Sequence, residues 1–319
     1  MRTLLIAVGL ACAASASVAQ TYPTKPVRMI APYPAGGTSD TIARILGQKL
    51  TEAWGQQVVV DNRSGVGGSI GAEAAAKAPP DGYTLLVGNN QPVAVNISVY
   101  KKIGYDPLRD FTPITLAVTA PQLVVVHPSV PARNMREFMA VARASKDKLN
   151  YGSSGAGSTS QLAAETFKQM TKIDIVHIPF KGSALITNAL VGGHLDVVFS
   201  DMAVVLPHVQ AGKLRALGVT GAKPSPLVPN VPAVAESGLP GFVIESWWGI
   251  LGPAGIAQPI VSRQHTDLVR ALQQKDVRDR FATLGVEARH STPEEFAALI
   301  KSEVARFAKL VKEVGIRAE

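Results

Sequence analysis

Short apolar runs alternate with longer amphipathic segments along nearly the whole chain, and few folds accommodate that alternation. Residues 27–33 (VRMIAPY) form an apolar run of strand length, and residues 38–53 place Ile42, Ile45, Leu46 and Leu50 on one helical face. Residues 57–60 return to strand character, 69–78 form an alanine-rich helix and 83–88 (YTLLVG) a third strand. This β-α-β-α-β order predicts a parallel sheet with right-handed crossovers. A second series follows, with strands at 122–127 (QLVVVH), 149–152, 173–178, 196–200 and 214–220 and helices at 135–144, 158–170 and 184–191. The proline-rich stretch 224–240 can be neither helix nor central strand. An apolar run at 242–252 then leads into two long helices, 259–284 and 293–314. The second of these opens on Ser291, Thr292, Pro293, Glu294 and Glu295, which supply an N-cap, a first-turn proline and an acidic first turn. Two α/β units predict a bilobed α/β protein with clefts at the carboxyl ends of its strands.

The first twenty residues stand apart. Arg2 gives a minimal positive region, residues 3–12 are apolar and residues 13–19 are rich in small side chains. Ser17, Val18 and Ala19 fit the small-x-small cleavage rule, so residues 1–19 read as a secretory signal peptide and the mature chain begins at Gln20. The segment is too short to span a bilayer. A lipoprotein anchored through Cys12 fits less well, because Gly9 and Leu10 suit poorly the positions before a lipidated cysteine. Cys12 is the one cysteine of the chain and leaves with the signal. The mature chain therefore has no disulfide framework and no cysteine-based metal site, and its stability rests on core burial. No later stretch reaches the roughly 18 uninterrupted apolar residues of a spanning helix. The formal charge of +8 is scattered rather than blocked. It favours anions weakly and is not the footprint of a nucleic-acid binder.

Four glycine-rich turns follow a strand and open a helix: residues 32–40 (PYPAGGTSD), 62–69 (NRSGVGGS), 151–160 (YGSSGAGSTS) and 179–184 (PFKGSA). Each can present free backbone N–H groups and the partial positive charge of a helix start, an anion site that needs no charged side chain. One such turn usually only caps its helix. Four, divided between both units, suggest two lobes whose helix ends converge on a small anion, with carboxylate and phosphate both open. No Walker pattern occurs, and Gly65-Val66-Gly67 fails the dinucleotide fingerprint because Ile70 stands where glycine or alanine is needed.

One catalytic motif does match. Gly67-Gly68-Ser69-Ile70-Gly71 satisfies G-x-S-x-G, with Asp196 or Asp201 and His208 as downstream partners, which makes an exported serine hydrolase the alternative function. The elbow should follow its strand directly, whereas eight residues separate Ser69 from the strand end near Asp61, so a glycine-rich helix start is the blander reading. The six histidines form no i,i+4 pair and lie beside no acidic cluster, so no metal site is expected. Trp247 and Trp248 suit core or hinge packing, with a cleft wall as the alternative. Lys181 is either an anion contact or a solvated loop lysine.

Taken in order, the segments 22–44 (YPTKPVRMIAPYPAGGTSDTIAR), 55–72 (GQQVVVDNRSGVGGSIGA), 79–90 (PPDGYTLLVGNN), 148–165 (KLNYGSSGAGSTSQLAAE), 176–183 (VHIPFKGS), 190–199 (LVGGHLDVVF) and 207–242 closely resemble the Bug (TctC-like) family of bacterial periplasmic solute-binding proteins, which are linked to tripartite tricarboxylate transporters. The resemblance covers essentially the whole mature chain. It implies a Venus-flytrap fold of two α/β domains, residues 20–121 with 241–319 and residues 122–240, joined by two chain crossings. It implies a non-enzymatic receptor without cofactor or metal, which holds a small carboxylate between the domains by backbone amides, hydroxyls and bridging waters. Its partners would be membrane transporter subunits or a sensor protein. The ligand-facing residues would be Tyr33, Ala35, Gly36, Gly37 and Thr38 of the first turn and Asn89 and Asn90 at a strand end. From the other domain would come Ser153, Ser154, Gly155, Gly157, Ser158 and Thr159, with Lys181, Gly182 and Asp201 closing the cleft. The chain departs from the family pattern at Gln161, where histidine is usual, at residues 184–188 and at residues 91–96, which leaves the ligand open. An ionised Asp201 would repel a carboxylate but accept from the amine or hydroxyl of an amino or hydroxy acid.

Overall fold

The computed structural model describes residues 22–316, so the expected signal peptide lies outside the described residues. The first lobe begins with β1 (Val27–Ala31), α1 (Thr38–Trp54), β2 (Val58–Asn62), α2 (Ser69–Ala76) and β3 (Thr84–Asn89). β1 lies between β2 and β3 and is parallel to both. Alternate β1 residues serve opposite faces, as the two-residue period of a strand requires. Met29 packs with Ile42, Leu46 and Leu50 of α1, whereas Ile30 joins the core on the other face. α1 stops at Gly55, whose φ of 64° is left-handed and whose N–H closes on the Thr51 carbonyl.

A wide π-type turn (Gln91–Val95) and the short α3 (Asn96–Val99) lead to β4 (Phe111–Val126). The second lobe then runs through α4 (Met135–Ala144), β5 (Asn150–Ser153), α5 (Thr159–Thr171), β6 (Val176–Pro179), α6 (Ser183–Val191), β7 (Val197–Asp201), α7 (Met202–Gln210) and β8 (Arg215–Val219). Val124 and Val126 of β4 pack with Phe138, Phe167 and Phe199, and Leu123 and Val125 with Ile186, Leu190 and Met202. The chain returns through β9 (Glu245–Pro253) to α8 (Gln258–Gln273), α9 (Lys275–Thr283), β10 (Glu287–Ala288) and α10 (Pro293–Val314). These terminal elements belong to the first lobe, where Phe296, Ile300 and Phe307 of α10 cover the face carrying Ile30 and Leu86. The expected N-cap of α10 forms, Glu295 N donating to Thr292 Oγ1 at 3.1 Å, and Thr292 N donates to Glu295 Oε2 at 2.9 Å to complete a capping box.

The lobes share one continuous sheet of order β2-β1-β3-β9-β4-β7-β5-β6. β4 makes the join. From Phe111 to Pro121 it runs antiparallel to β9, and from Gln122 to Val126 it pairs with β7. The return crossing lies beside it: Ile244 N donates to the Thr220 carbonyl and Thr220 N to that of Gln122, each at 2.9 Å.

Several elements differ from expectation, among them the unexpected helical turns at Gln91–Val95 and Asn96–Val99. The strand expected at 122–127 starts at Phe111, because pairing with β9 overrides the prolines at 113 and 121. The long helix expected over 259–284 is two helices, broken at Gln274, whose ψ of 136° is extended. α7 forms in a stretch with no expected helix and carries Pro207; there Pro207 gives up one helical N–H.

Candidate functional site

A cavity of about 310 Å³ lies between the lobes. The first lobe contributes the β1–α1 turn, from Tyr33 to Ala35 and Gly37 to Ser39, and Asn89 and Gln91 after β3. The second contributes Ser154 and Ser158 to Ser160 at the start of α5, Lys181 to Leu185 at the start of α6, and Asp201 at the end of β7. Gln122, Ser246 and Trp248 line it from the crossing strands.

The turns supply fewer free amides than their glycine content suggests, because their own side chains consume several. Gly36 N donates to Asp40 Oδ2 at 3.0 Å. Burial works against ionising Asp40, but the Arg44 guanidinium and the Gly36 N–H outweigh it and hold the carboxyl below the usual range. In the α5 turn Ser154 N donates to Ser160 Oγ at 3.0 Å, Gly155 N to Ser153 Oγ at 3.3 Å and Gly157 N to Gln161 Oε1 at 2.7 Å. Ser158 caps α5 by accepting from Gln161 N. Among the amides without an acceptor in the described residues are those at the starts of three helices: Thr38 and Ser39 of α1, Thr159 and Ser160 of α5, and Ser183 to Leu185 of α6. All seven residues line the cavity, so three helix N-termini with unpaired donors converge on it.

Of the expected contacts, Tyr33, Ala35, Gly37, Thr38, Asn89, Ser154, Ser158, Thr159, Lys181, Gly182 and Asp201 lie on the wall. Gly36, Asn90, Ser153, Gly155 and Gly157 lie off it, and each has a structural reason. Gly36 turns its N–H inward to Asp40. Asn90 is wholly buried behind the wall, where its Oδ1 accepts from Trp247 N at 2.8 Å and its Nδ2 donates to Glu303 Oε2 at 3.3 Å. Ser153 points beneath the turn to His177 Nε2 at 2.6 Å and takes the Gly155 N–H as well. Burial pushes the His177 imidazole below its ordinary value, with Glu165 opposing and Lys168 reinforcing that shift. Gly157 has φ +73°, and a Cβ there would stand 2.9 Å from Val99 Cγ2 of the first lobe, so glycine is what lets the turn approach α3.

Direct bonds bridge the lobes around the cavity. Gln91 Nε2 donates to the Ala156 carbonyl at 2.8 Å, and Thr38 Oγ1 to Asp201 Oδ2 at 3.4 Å. Tyr33 shares its hydroxyl between Asn89 Oδ1 and Gln91 Oε1, both at 3.1 Å, and burial keeps that hydroxyl protonated. Lys181 is the cation on the wall and Asp201 the acid. Asp201 ends β7 on the cavity wall, half-buried and hydrogen-bonded. Burial therefore raises its carboxyl above the usual range, while hydrogen bonds from Ser246, Gln122 and Thr38 oppose the shift.

Ser39, Gln91, Gln122, Ser183 to Leu185 and Ser246 also lie on the wall and were not expected as contacts. Trp248 takes the cleft-wall role left open for it and donates Nε1 to Ser39 Oγ at 3.1 Å. Trp247 turns to Glu303 instead. The signal for Gln122 and Ser246 is a polar residue at the head of an apolar strand, QLVVV and SWWGIL, a position that burial alone does not explain.

Ser69 sits apart from the cavity. Its Oγ accepts from Asn96 Nδ2 at 2.8 Å and lies 3.5 Å from the Tyr105 hydroxyl, and neither partner is a general base at neutral pH. Asp196, Asp201 and His208 all belong to the second lobe. Among the described residues, no group of three or more His, Cys, Asp or Glu could hold a metal ion, and no helix is long and apolar enough to cross a membrane.

Residues 42–316 match the model of a family described as the tripartite tricarboxylate transporter family receptor. Protein BugT of Bordetella pertussis is 35% identical over 322 residues, covering 99% of this chain and 99% of that protein. Among solved structures, R. palustris Rpa4515 with adipate superposes with a TM-score of 0.89 at 35% identity, covering 93% of this chain and 99% of the other. The periplasmic binding protein BugD superposes with a TM-score of 0.87 at 32% identity, covering 93% and 100%.

Proposed function

The chain belongs to the tripartite tricarboxylate transporter receptor family, and on that premise we propose that it is a periplasmic receptor that captures a small carboxylate between its lobes. The convergence of three helix N-termini, with Lys181 beside them, carries this reading. Unpaired N–H groups and aligned peptide dipoles neutralise a carboxylate without a dedicated arginine. The adipate complex of Rpa4515 supports the same ligand class. In this reading residues 1–19 export the chain. The lobes are residues 20–121 with 241–319 and residues 122–240, a division that the change of β4 partners between Pro121 and Gln122 supports.

The ligand contacts in this reading are Thr38 and Ser39, Ser158 to Ser160, and Lys181 to Leu185. The bonds from Gln91 and Thr38 across the cleft stabilise the closed form. The ligand shifts the population toward that form by binding it more tightly than the open one. A membrane subunit of the transporter, or a sensor protein, then reads the closed form. No step of chemistry on the ligand is required.

The test is a thermal-shift screen of the chain from Gln20 onward against millimolar mono-, di- and tricarboxylates, hydroxy acids and amino acids. An acid present at about a hundred times its Kd stabilises the native state by about 2.7 kcal/mol and raises the melting midpoint by several degrees. A panel in which no acid moves the midpoint refutes the reading.

A further inference from the structure

Ser153 and Gln161, which hold the amides of the α5 turn, meet at one imidazole, and the hydrogen bonds there run in a fixed direction. The Gly157 N–H can only donate, so the Gln161 side-chain atom 2.7 Å from it is the oxygen. The amide nitrogen of Gln161 therefore faces His177 Nδ1, at 3.4 Å, and Nδ1 accepts. The proton of the neutral ring then sits on Nε2, aimed at Ser153 Oγ 2.6 Å away. Ser153 Oγ in turn takes the Gly155 N–H at 3.3 Å and donates to the Gly155 carbonyl at 3.4 Å. One neutral ring thus supports both glycines of the turn, Gly155 through Ser153 and Gly157 through Gln161.

Between those glycines stands Ala156, whose carbonyl accepts the Gln91 bond across the cleft. Directly after them come Ser158, the cap of α5, and the unpaired Thr159 and Ser160 amides on the cavity wall. The ring is half-buried on β6. Among the described residues, the titratable and charged groups facing it are Tyr151 of β5, stacked on it with centroids 4.8 Å apart, and Glu165 and Lys168 of α5. Glu165 is occupied by the Tyr151 hydroxyl at 2.6 Å and by Lys168 Nζ at 3.3 Å. A second ring proton goes to Nδ1, where it meets the Gln161 amide group donor to donor. Gln161 responds by turning its oxygen to the ring or by moving off, and either response strips the Gly157 N–H of its acceptor.

We propose that His177 is a proton-operated catch on the α5 turn: the neutral ring holds the turn in its ligand-binding shape, and uptake of a second proton frees it, weakening both ligand capture and the Gln91 bond that joins the lobes. This rests on the carboxylate-receptor reading above and adds release in acid to it. The conflict falls on Gln161 alone, because Nε2 carries its proton in both states.

Two measurements test this. Amide and imidazole NMR spectra from about pH 7.5 to 4.5 should show the Gly157 amide moving with the midpoint of the His177 ring. In His177→Gln, which keeps a donor toward Ser153 but cannot titrate, that movement is lost. Calorimetric titration with adipate, malate and succinate at both ends of the range then reads binding. Comparing proteins at the same pH cancels the ionisation of the acids and of Asp201. From the upper to the lower pH the parent should lose about tenfold more affinity than His177→Gln does. In Gln161→Glu the carboxylate accepts from the Gly157 N–H and from the charged ring together, so the extra loss in acid disappears. That variant decides should His177→Gln not fold. A ring that stays neutral to pH 4.5, a Gly157 amide that ignores the ring's titration, or an equal loss in parent and variants overturns the catch and leaves the receptor reading standing. Binding of none of the three acids overturns the claim on capture together with the reading it rests on, and the amide titration still decides whether the catch exists.

Discussion

Asn89 and Asn90 are neighbours at the end of β3, and substituting each with alanine separates wall from scaffold. Asn90→Ala leaves the buried Trp247 N–H without its acceptor at 2.8 Å and removes a donor from the Glu303 carboxylate. An orphaned buried N–H costs about 1–3 kcal/mol and a lost hydrogen bond to a charged group about 1.5–3 kcal/mol, so the loss is about 3–5 kcal/mol. With an unfolding entropy of about 2.1 cal/mol/K per residue over roughly 300 residues, the melting midpoint falls by about 5–8 °C. Asn89→Ala removes only one of the two acceptors around the Tyr33 hydroxyl, and Gln91 Oε1 keeps the other. Its midpoint falls by about 1 °C, while any acid-induced shift shrinks because a wall group is gone. Differential scanning calorimetry of both variants, with and without the acid that most stabilises the parent, reads the contrast. An Asn90→Ala protein that melts within 1 °C of the parent but has lost its acid response would refute the reasoning. Asn90 would then be a ligand contact and its buried bonds worth little.

Two further predictions concern titration. Burial raises Asp201, so between the ordinary carboxylate value near 4 and its folded value the native state holds a proton that the unfolded chain has released. Stability of the parent therefore falls relative to Asp201→Asn as pH rises through that window, and urea titrations of both proteins from pH 3 to 7 measure the difference. His177 is shifted the other way, its folded value lying below the ordinary 6.5. The unfolded chain takes up that proton first, so stability is lost as pH falls from about 6.5 toward the folded value. The imidazole C2 proton resonance of His177 in an NMR titration should move with a midpoint below the ordinary 6.5, and a midpoint at or above that value would contradict the burial argument.

The first lobe was legible because its hydrophobic period changes cleanly between β1, α1 and β3, and residues such as Ile42, Leu46 and Leu50 repeat at helical spacing. β4 was half legible. Its second half is a pure apolar run, whereas Thr112, Pro113, Thr115 and Pro121 mask the first, and only pairing with β9, far along the chain, makes that half a strand. The break at Gln274 has no proline or glycine to announce it. At the site, glycine-rich turns located the helix ends, but composition does not show which amides a turn spends on itself. Asp40, Ser153, Ser160 and Gln161 each reach back to an amide of their own turn, which leaves free donors at the helix starts. Gln122 and Ser246 escaped notice because their role comes from where two distant strands cross.

That crossing also bears on how such a protein can be rebuilt. Pro121 pairs with Glu245, so the chain leaves the first lobe and re-enters it at one spot. The second lobe is thus an insert whose two ends already touch. It can be exchanged for the equivalent segment of a relative with one cut on each of two adjacent strands and no designed linker. A chimera of that kind would keep the α1 half of the cavity and replace the α5 and α6 half, so ligand choice can diverge one lobe at a time.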